Sequence, residues 1–286
     1  MIMEKKDKVC VIVPVYNRLE STKKFILSFE KNTYKNYTIV VFDDGSTDGT
    51  YDYLKRNYPE VVVLRGDGSN WWSGSTNAGV RYAIDNGFDY VLTINNDSHV
   101  KANLLEILLK CAKANWGCII GSRVMIGNTD LIWSLGTLVY FRKFPFLHLN
   151  QCQRPLLVMQ KFMDPFETMA LAGNGVLVPI DIFKKIGLYD AKWCPQYHGD
   201  TEFTYRATKS GTKCLVCLDA VVYNNEFVAD PKFSMWDEMF SKKSPHYWRP
   251  TVRFYWKHAP WKHKPYLIKQ FLWIPKRIVK AVLSRA

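Results

Sequence analysis

The feature that most constrains this chain is an alternation, over residues 9–124, of short β-branched runs with segments of helical periodicity. The runs are residues 9–13, 37–42, 61–64, 90–94 and 118–120. They are almost continuously apolar, which suits strands covered on both faces. Between them, residues 19–30, 50–57, 75–86 and 102–114 place apolar side chains at helical spacing. The pattern predicts a βαβ series, hence an α/β fold: a Rossmann-like, mostly parallel sheet flanked by helices.

In such sheets ligands bind outside the carboxyl ends of the strands, so the residues that follow each run are the first functional candidates. After the first run comes Pro14-Val-Tyr-Asn-Arg18, after the second Asp43-Asp-Gly-Ser-Thr-Asp-Gly-Thr50, and after the fourth Asn95-Asn-Asp97. No G-x-G-x-x-G follows the first run, which removes the usual cradle for a dinucleotide pyrophosphate and argues against a dehydrogenase. Asp43 and Asp44 can accept hydrogen bonds from a nucleobase or a ribose, or can form a plain Asx turn ahead of the next helix. Asn95 and Asp97 are hard oxygen donors suited to Mg²⁺ or Mn²⁺, and a polar strand end capping the next helix is the competing reading.

From about Met125 to Phe227 the pattern is less regular. It contains a glycine-rich segment with Gly173-Asn174-Gly175, a helical stretch over 180–186, and His198-Gly-Asp-Thr-Glu-Phe-Thr-Tyr-Arg206. Asp200 falls at the start of a helix, where a carboxylate either caps the helix or takes a proton as general base. His198 and Glu202 flank it. Trp133 and Trp193 suit a pocket wall or a core.

Taken together, Val13-Pro-Val-Tyr-Asn-Arg18, Asp43-Asp-Gly-Ser-Thr-Asp-Gly-Thr50, Asn95-Asn-Asp97 and Gly199-Asp-Thr-Glu-Phe-Thr-Tyr-Arg206 resemble the family 2 glycosyltransferases of the GT-A fold. The resemblance covers roughly residues 9–227 and is close to bacterial rhamnosyl- and galactosyltransferases of surface polysaccharide synthesis. It implies an inverting transferase with a UDP- or dTDP-sugar donor and a glycan acceptor. Asp43 and Asp44, with Pro14, Tyr16 and Arg18, would bind the nucleotide. Asp97 would stand for the last acid of the family's metal-binding D-x-D, and Asp200 for its catalytic base. Ser73 and Asn77, in an aromatic, glycine-rich loop beginning Trp71-Trp72, would contact the diphosphate or the sugar. Trp72, Asn96, Gly173, Asn174, His198 and Glu202 are the sugar or acceptor candidates.

Three departures stand out. Asn95 replaces the first acid of D-x-D, so Asp97 is the motif's sole carboxylate and the cation would be completed by diphosphate and water. Gly199 replaces the Glu that often precedes the base. Tyr223-Asn-Asn-Glu226 stands where many members carry a metal-binding His, leaving Asn224 or Glu226 as substitutes.

The formal net charge of +13 is concentrated at one end. Residues 232–286 carry thirteen Lys or Arg against Asp237 and Glu238 and interleave them with Trp236, Trp248, Trp256, Trp261 and Trp273. Residues 264–284 can align Leu267, Phe271, Ile278 and Val282 on one helical face, with Pro275 as a kink. This reads as an interfacial anchor on an acidic membrane, the alternative being that the aromatics pack on the catalytic domain. The expected organisation is a glycosyltransferase domain over 1–227, divided near 124 into nucleotide-binding and acceptor halves, and a basic C-terminal region over 228–286. The first apolar run is too short for a signal peptide or a membrane span, so the expected location is cytoplasmic, peripheral at the inner face of the membrane. A lipid-linked acceptor would suit that address. Seven cysteines, with Cys214 and Cys217 the only close pair, suit reduced thiols packed in a strand rather than a zinc site. Two rival functions are a nucleic-acid-binding protein built on the basic tail and a nucleotidyltransferase; no nucleic acid is the expected partner.

Overall fold

In a computed structural model, residues 6–143, 145–225 and 234–271 are described. Strand β1 (Val9–Val15) sits centrally because both of its faces have an apolar partner. Val9, Val11 and Val13 face one core, with Phe25, Ile26 and Phe29 of α1 (Leu19–Phe29) and Leu104, Leu105 and Leu108 further along the chain. Cys10 and Ile12 face the opposite core, with Val80, Ala83, Phe183 and Phe203.

The chain continues through β2 (Tyr37–Asp43), α2 (Thr50–Asn57), β3 (Val62–Arg65), α3 (Trp71–Asp85), β4 (Tyr90–Thr93), β5 (Ser98–Val100), α4 (Leu104–Ala114) and β6 (Ile119–Ile126). Then come β7 (Ile132–Ser134), β8 (Thr137–Val139), β9 (Leu147–Leu149), β10 (Phe166–Thr168), β11 (Val176–Pro179), α5 (Ile180–Ile186), α6 (Gly199–Lys209) and β12 (Cys214–Asn224). The main sheet runs β10-β12-β6-β11-β4-β1-β2-β3, with β5 on β12 and β7 on β6. Strands β3, β2, β1 and β4 are parallel, as are β6 and β12. The expected βαβ order is interrupted between β4 and β6, where β11 enters antiparallel to both. That crossing brings the 173–175 segment to the carboxyl end of β4.

The C-terminal region adds α7 (Met235–Phe240), α8 (Trp248–His258) and a 3-10 run, Trp261–Gln270. Phe254 and Tyr255 of α8 and Ala259 after it complete a third core with Val139, Phe141, Phe146 and Tyr205, and Leu267 packs against it. This part of the basic region therefore packs on the α/β domain. The single amphipathic helix expected over 264–284 is replaced, as far as Gln270, by 3-10 structure containing Pro265. Trp273, Pro275, Ile278, Val282 and the expected domain boundary at 227/228 lie outside the described residues. Among the described residues, no helix is long and apolar enough to cross a membrane. All seven cysteines are free thiols, and Cys214 and Cys217 are buried within β12.

Candidate active site

The carboxyl ends of β1, β2 and β4 open into a cleft of about 420 Å³ lined by Pro14, Tyr16, Arg18, Asp44, Asn95, Asn96 and Asp97. Trp71, Trp72 and Ser75 from the start of α3 form another wall, with Gln196 and Tyr197, and Lys243 from the C-terminal region. The three strand-end motifs therefore meet, as the parallel topology requires. Tyr16 is 56% exposed at this rim, a free aromatic face beside Pro14.

Asp43 and Asp44 end up in different places. Asp43 is fully buried and does not line the cleft: its Oδ1 accepts the Ser46 N–H at 2.9 Å, while its Oδ2 is buried with no hydrogen-bond partner among the described residues. Asp44 reaches the cleft, but its carboxylate also organises the approach to α3. Oδ1 accepts from the Gly68 and Asn70 N–H groups and the Asn70 side chain at 3.0 to 3.3 Å, and Oδ2 from the Trp71 N–H at 2.8 Å. A carboxylate at a helix N-terminus satisfies donors that the helix itself cannot. Trp71 takes a left-handed φ of 56°, uncommon for a bulky side chain, and this bond holds it there. The expected loop over 71–77 is consequently the first two turns of α3. The capping of α2 falls instead to Asp48, whose Oδ1 accepts from the Thr50 N–H and hydroxyl.

Ser73 and Asn77 lie away from the cleft. The buried Ser73 hydroxyl donates to the Cys194 carbonyl at 2.6 Å. Asn77 clamps Tyr189 from both sides, Oδ1 accepting its N–H and Nδ2 donating to its carbonyl, each at 2.9 Å. Both side chains hold the segment before α6 against α3.

The Asn95-Asn-Asp97 turn is set from below. Asn174 Oδ1 accepts the Asn95 N–H at 3.2 Å and the Ser98 hydroxyl at 3.0 Å, and Asn96 Nδ2 donates to Thr22 at 2.9 Å. Asn174 is thus beneath the cleft rather than on its wall, while Asn96 is buried at the wall. The Asp97 carboxylate lies 3.5 Å from the Arg18 guanidinium, and the Asp97 carbonyl accepts the Asn225 N–H at 3.0 Å. Asn224 is buried and pairs with Ser98 across β5 and β12, and Glu226 lies outside the described residues. Among the described residues no three His, Cys, Asp or Glu converge on a metal-sized site. One carboxylate and one amide oxygen fit a cation that takes most of its ligands from substrate phosphates and water, not a closed protein cage.

Asp200 lies in the first turn of α6, with its two oxygens fixed by backbone donors. Oδ2 accepts the Gly173 N–H at 2.6 Å and Oδ1 the Thr201 N–H at 2.7 Å. Oδ1 also accepts the Thr201 hydroxyl at 3.4 Å, so Oδ2 is the oxygen that keeps a lone pair for a further donor. A Cβ on Gly173 would stand 2.6 Å from Trp72 Cζ2 and 2.9 Å from Asp200 Cβ, so only glycine lets the backbone, the indole and the carboxylate meet. The same indole donates from Nε1 to Asn95 Oδ1 at 3.1 Å. Gly199 has a comparable cause: a Cβ there would be 2.2 Å from Ser73 Oγ, and a glutamate has no room.

His198 precedes α6 with a left-handed φ of 64°. Its Nε2 lies 3.3 Å from the Pro245 carbonyl, which can only accept, so Nε2 carries the proton. Burial pushes the His198 pKa below its ordinary value, favouring the neutral ring. Glu202 is withdrawn from the sugar candidates by its surroundings: it is fully buried on the far side of α6. Its carboxylate accepts from Arg206 at 3.1 Å, Lys257 at 2.7 Å and His258 at 2.9 Å. Burial alone would raise its pKa, but these partners outweigh it and hold the group at about 2.

Gln196, Tyr197 and Lys243 complete the wall without any motif in the sequence to mark them. Gln196 Oε1 accepts the Trp72 N–H at 3.2 Å. The tryptophan pair was the available signal for Trp71, but its neighbours across the cleft come from 120 or more positions further along and carry no pattern of their own.

Comparison with known proteins bears on the same region. Residues 10–173 match the family model described as glycosyl transferase family 2. Glycosyltransferase AglJ of Haloferax volcanii is 27% identical over 179 residues, 60% of this chain and 56% of that protein. An undecaprenyl-phosphate mannosyltransferase of Micrococcus luteus is 28% identical over 129 residues, 44% of this chain and 52% of its own length. The matches thus span little more than half of those relatives. The crystal structure of S. aureus TarS superposes with a TM-score of 0.59 at 14% identity, covering 93% of this chain and 43% of TarS, so the GT-A-like fold is shared. With the family model covering more than half of its length, the chain belongs to glycosyl transferase family 2.

Proposed function

We propose that this enzyme moves a sugar, with inversion, from a UDP- or dTDP-activated donor to a hydroxyl of a glycan acceptor. The observation that carries the proposal is the Trp72 side chain, which touches both Asn95 of the strand-end motif and Gly173 beside Asp200. A donor bound against Pro14, Tyr16 and Asp44 would then present its anomeric carbon near the carboxylate that takes the acceptor's proton. Asp200 acts as general base: held by two backbone N–H groups, it accepts the proton as the acceptor oxygen attacks, a contribution of ~10² to 10⁴ in rate. Asp97 and Asn95 would hold a divalent cation, which would supply positive charge for the departing diphosphate.

The acceptor is read as lipid-linked, in the synthesis of a bacterial surface polysaccharide. In support, one relative is named for undecaprenyl phosphate. The C-terminal region also exposes Trp256, Trp261 and Ile268 beside lysines, with the Lys264 ammonium 4.5 and 4.2 Å from the two indole rings. Aromatic and basic side chains together suit peripheral contact with an acidic membrane surface, here the inner face of the cytoplasmic membrane.

The test is a panel of nucleotide sugars screened for thermal stabilisation with and without Mn²⁺, followed by product analysis. A cognate donor at about 100 times its Kd raises Tm by about 5 °C, and turnover releases a nucleoside diphosphate. No stabilisation by any UDP- or dTDP-sugar, or release of pyrophosphate, contradicts the proposal.

A further inference from the structure

The basic C-terminal region does more than pack on the domain: its segment between α7 and α8 borders the donor cleft. Residues 241–247 are held at several points. Ser244 is fully buried, Tyr247 is buried, the Pro245 carbonyl accepts from His198 at 3.3 Å, and the Lys242 ammonium stands 5.6 Å from the Trp71 ring centroid. Beyond it, α8 is locked to α6 by Lys257 and His258 on the buried Glu202. This tethered strap sets Lys243 in the lining of the cleft, together with Pro14 and Tyr16 at the end of β1 and Asn95 and Asp97 after β4.

The charges of the lining give that lysine a role. Of the two carboxylates, Asp44 is engaged by donors at the start of α3, and Asp97 faces Arg18 at 3.5 Å. Among the described residues, no carboxylate is paired with Lys243. A nucleoside diphosphate brings two phosphates into a cleft whose D-x-D counterpart has one acid, so a cation would be held more weakly there than by a two-acid motif, and cationic side chains of the protein itself carry more of the phosphate binding. A flexible ammonium is a good phosphate partner as a point charge.

We infer that Lys243 binds the diphosphate of the donor, making the C-terminal strap a part of the nucleotide site. This rests on the donor reading given above.

The test uses the full chain and titration calorimetry with UDP, dTDP, uridine and thymidine at fixed Mg²⁺. Lys243 is exposed, so Lys243→Ala leaves the fold intact. In that variant the diphosphate that the wild type prefers binds about tenfold more weakly or worse, its nucleoside binds unchanged, and Lys243→Arg retains most of the affinity. Undiminished diphosphate binding by Lys243→Ala, or an equal loss for nucleoside and diphosphate, overturns the inference while leaving the donor reading standing. A wild-type chain that binds neither UDP nor dTDP overturns both.

Discussion

Replacing Glu202 by Gln removes the charge at the centre of the cluster that joins α8 to α6. The carboxylate is fully buried and is the shared hydrogen-bond partner of Arg206, Lys257 and His258, whose side chains are 17%, 30% and 5% exposed. Two lines of reasoning give the size of the effect. Removing one partner of a buried ion pair costs about 3 to 5 kcal/mol, because the remaining charge stays buried. Holding the Glu202 pKa at about 2, against a starting value of 4.5, corresponds to about 3 kcal/mol at neutral pH. The lower figure is expected, since Lys257 can rehydrate and Arg206 also donates to the Leu188 carbonyl at 2.8 Å. The folded-state pKa is depressed, so this stabilisation is present above the unfolded value and is lost as pH falls from about 4.5 towards 2. Urea unfolding at pH 7 and pH 3 measures both aspects. Glu202→Gln should lose about 3 kcal/mol at pH 7, and its deficit relative to wild type should shrink at pH 3. A loss below 1 kcal/mol at pH 7, or a deficit independent of pH, refutes the reasoning.

Two glycines give sharper local tests. Gly173→Ala drives a methyl into Trp72 and Asp200, and transfer activity should fall at least tenfold while overpacking costs about 1 to 3 kcal/mol in unfolding measurements. Gly199→Ala meets Ser73 Oγ, so its destabilisation should be partly relieved by adding Ser73→Ala; a double-mutant cycle with no coupling would contradict the close approach.

The parallel half of the fold was legible because local patterns encode it. The bounds of α2 and α5 coincide with their helical periodicities, and β1 and β2 extend the apolar runs by two residues and one. What escaped was non-local. Strand β11 is four residues long and emerges from a glycine-rich segment, and nothing within Val176–Pro179 states that it will run antiparallel between β4 and β6. The start of α3 at Trp71 depends on the Asp44 carboxylate 27 positions earlier, so a loop was the natural local reading of Trp-Trp-Ser-Gly. The site shows the same division. Pro14, Tyr16, Arg18, Asp44, Asn95 and Asp97 lie at or just past strand ends and reach the cleft together, as topology demands. Ser73, Asn77, Asn174 and Glu202 are polar residues near motifs whose side chains bind other parts of the protein, a choice made by packing and invisible to spacing. The tail divides likewise: no α-helix forms over 264–270, where a helical face was expected, and it is α8, unmarked by that pattern, that packs through Phe254 and Tyr255 into the third core.

The central claim is that Asp200, fixed by Gly173 and Thr201, takes the acceptor's proton. The most direct measurement is single-turnover transfer by Asp200→Asn with the cognate donor, alongside donor affinity. The account predicts a loss of ~10² to 10⁴ in rate with donor Kd unchanged. Full transfer by Asp200→Asn, or a loss explained entirely by weakened donor binding, would contradict it.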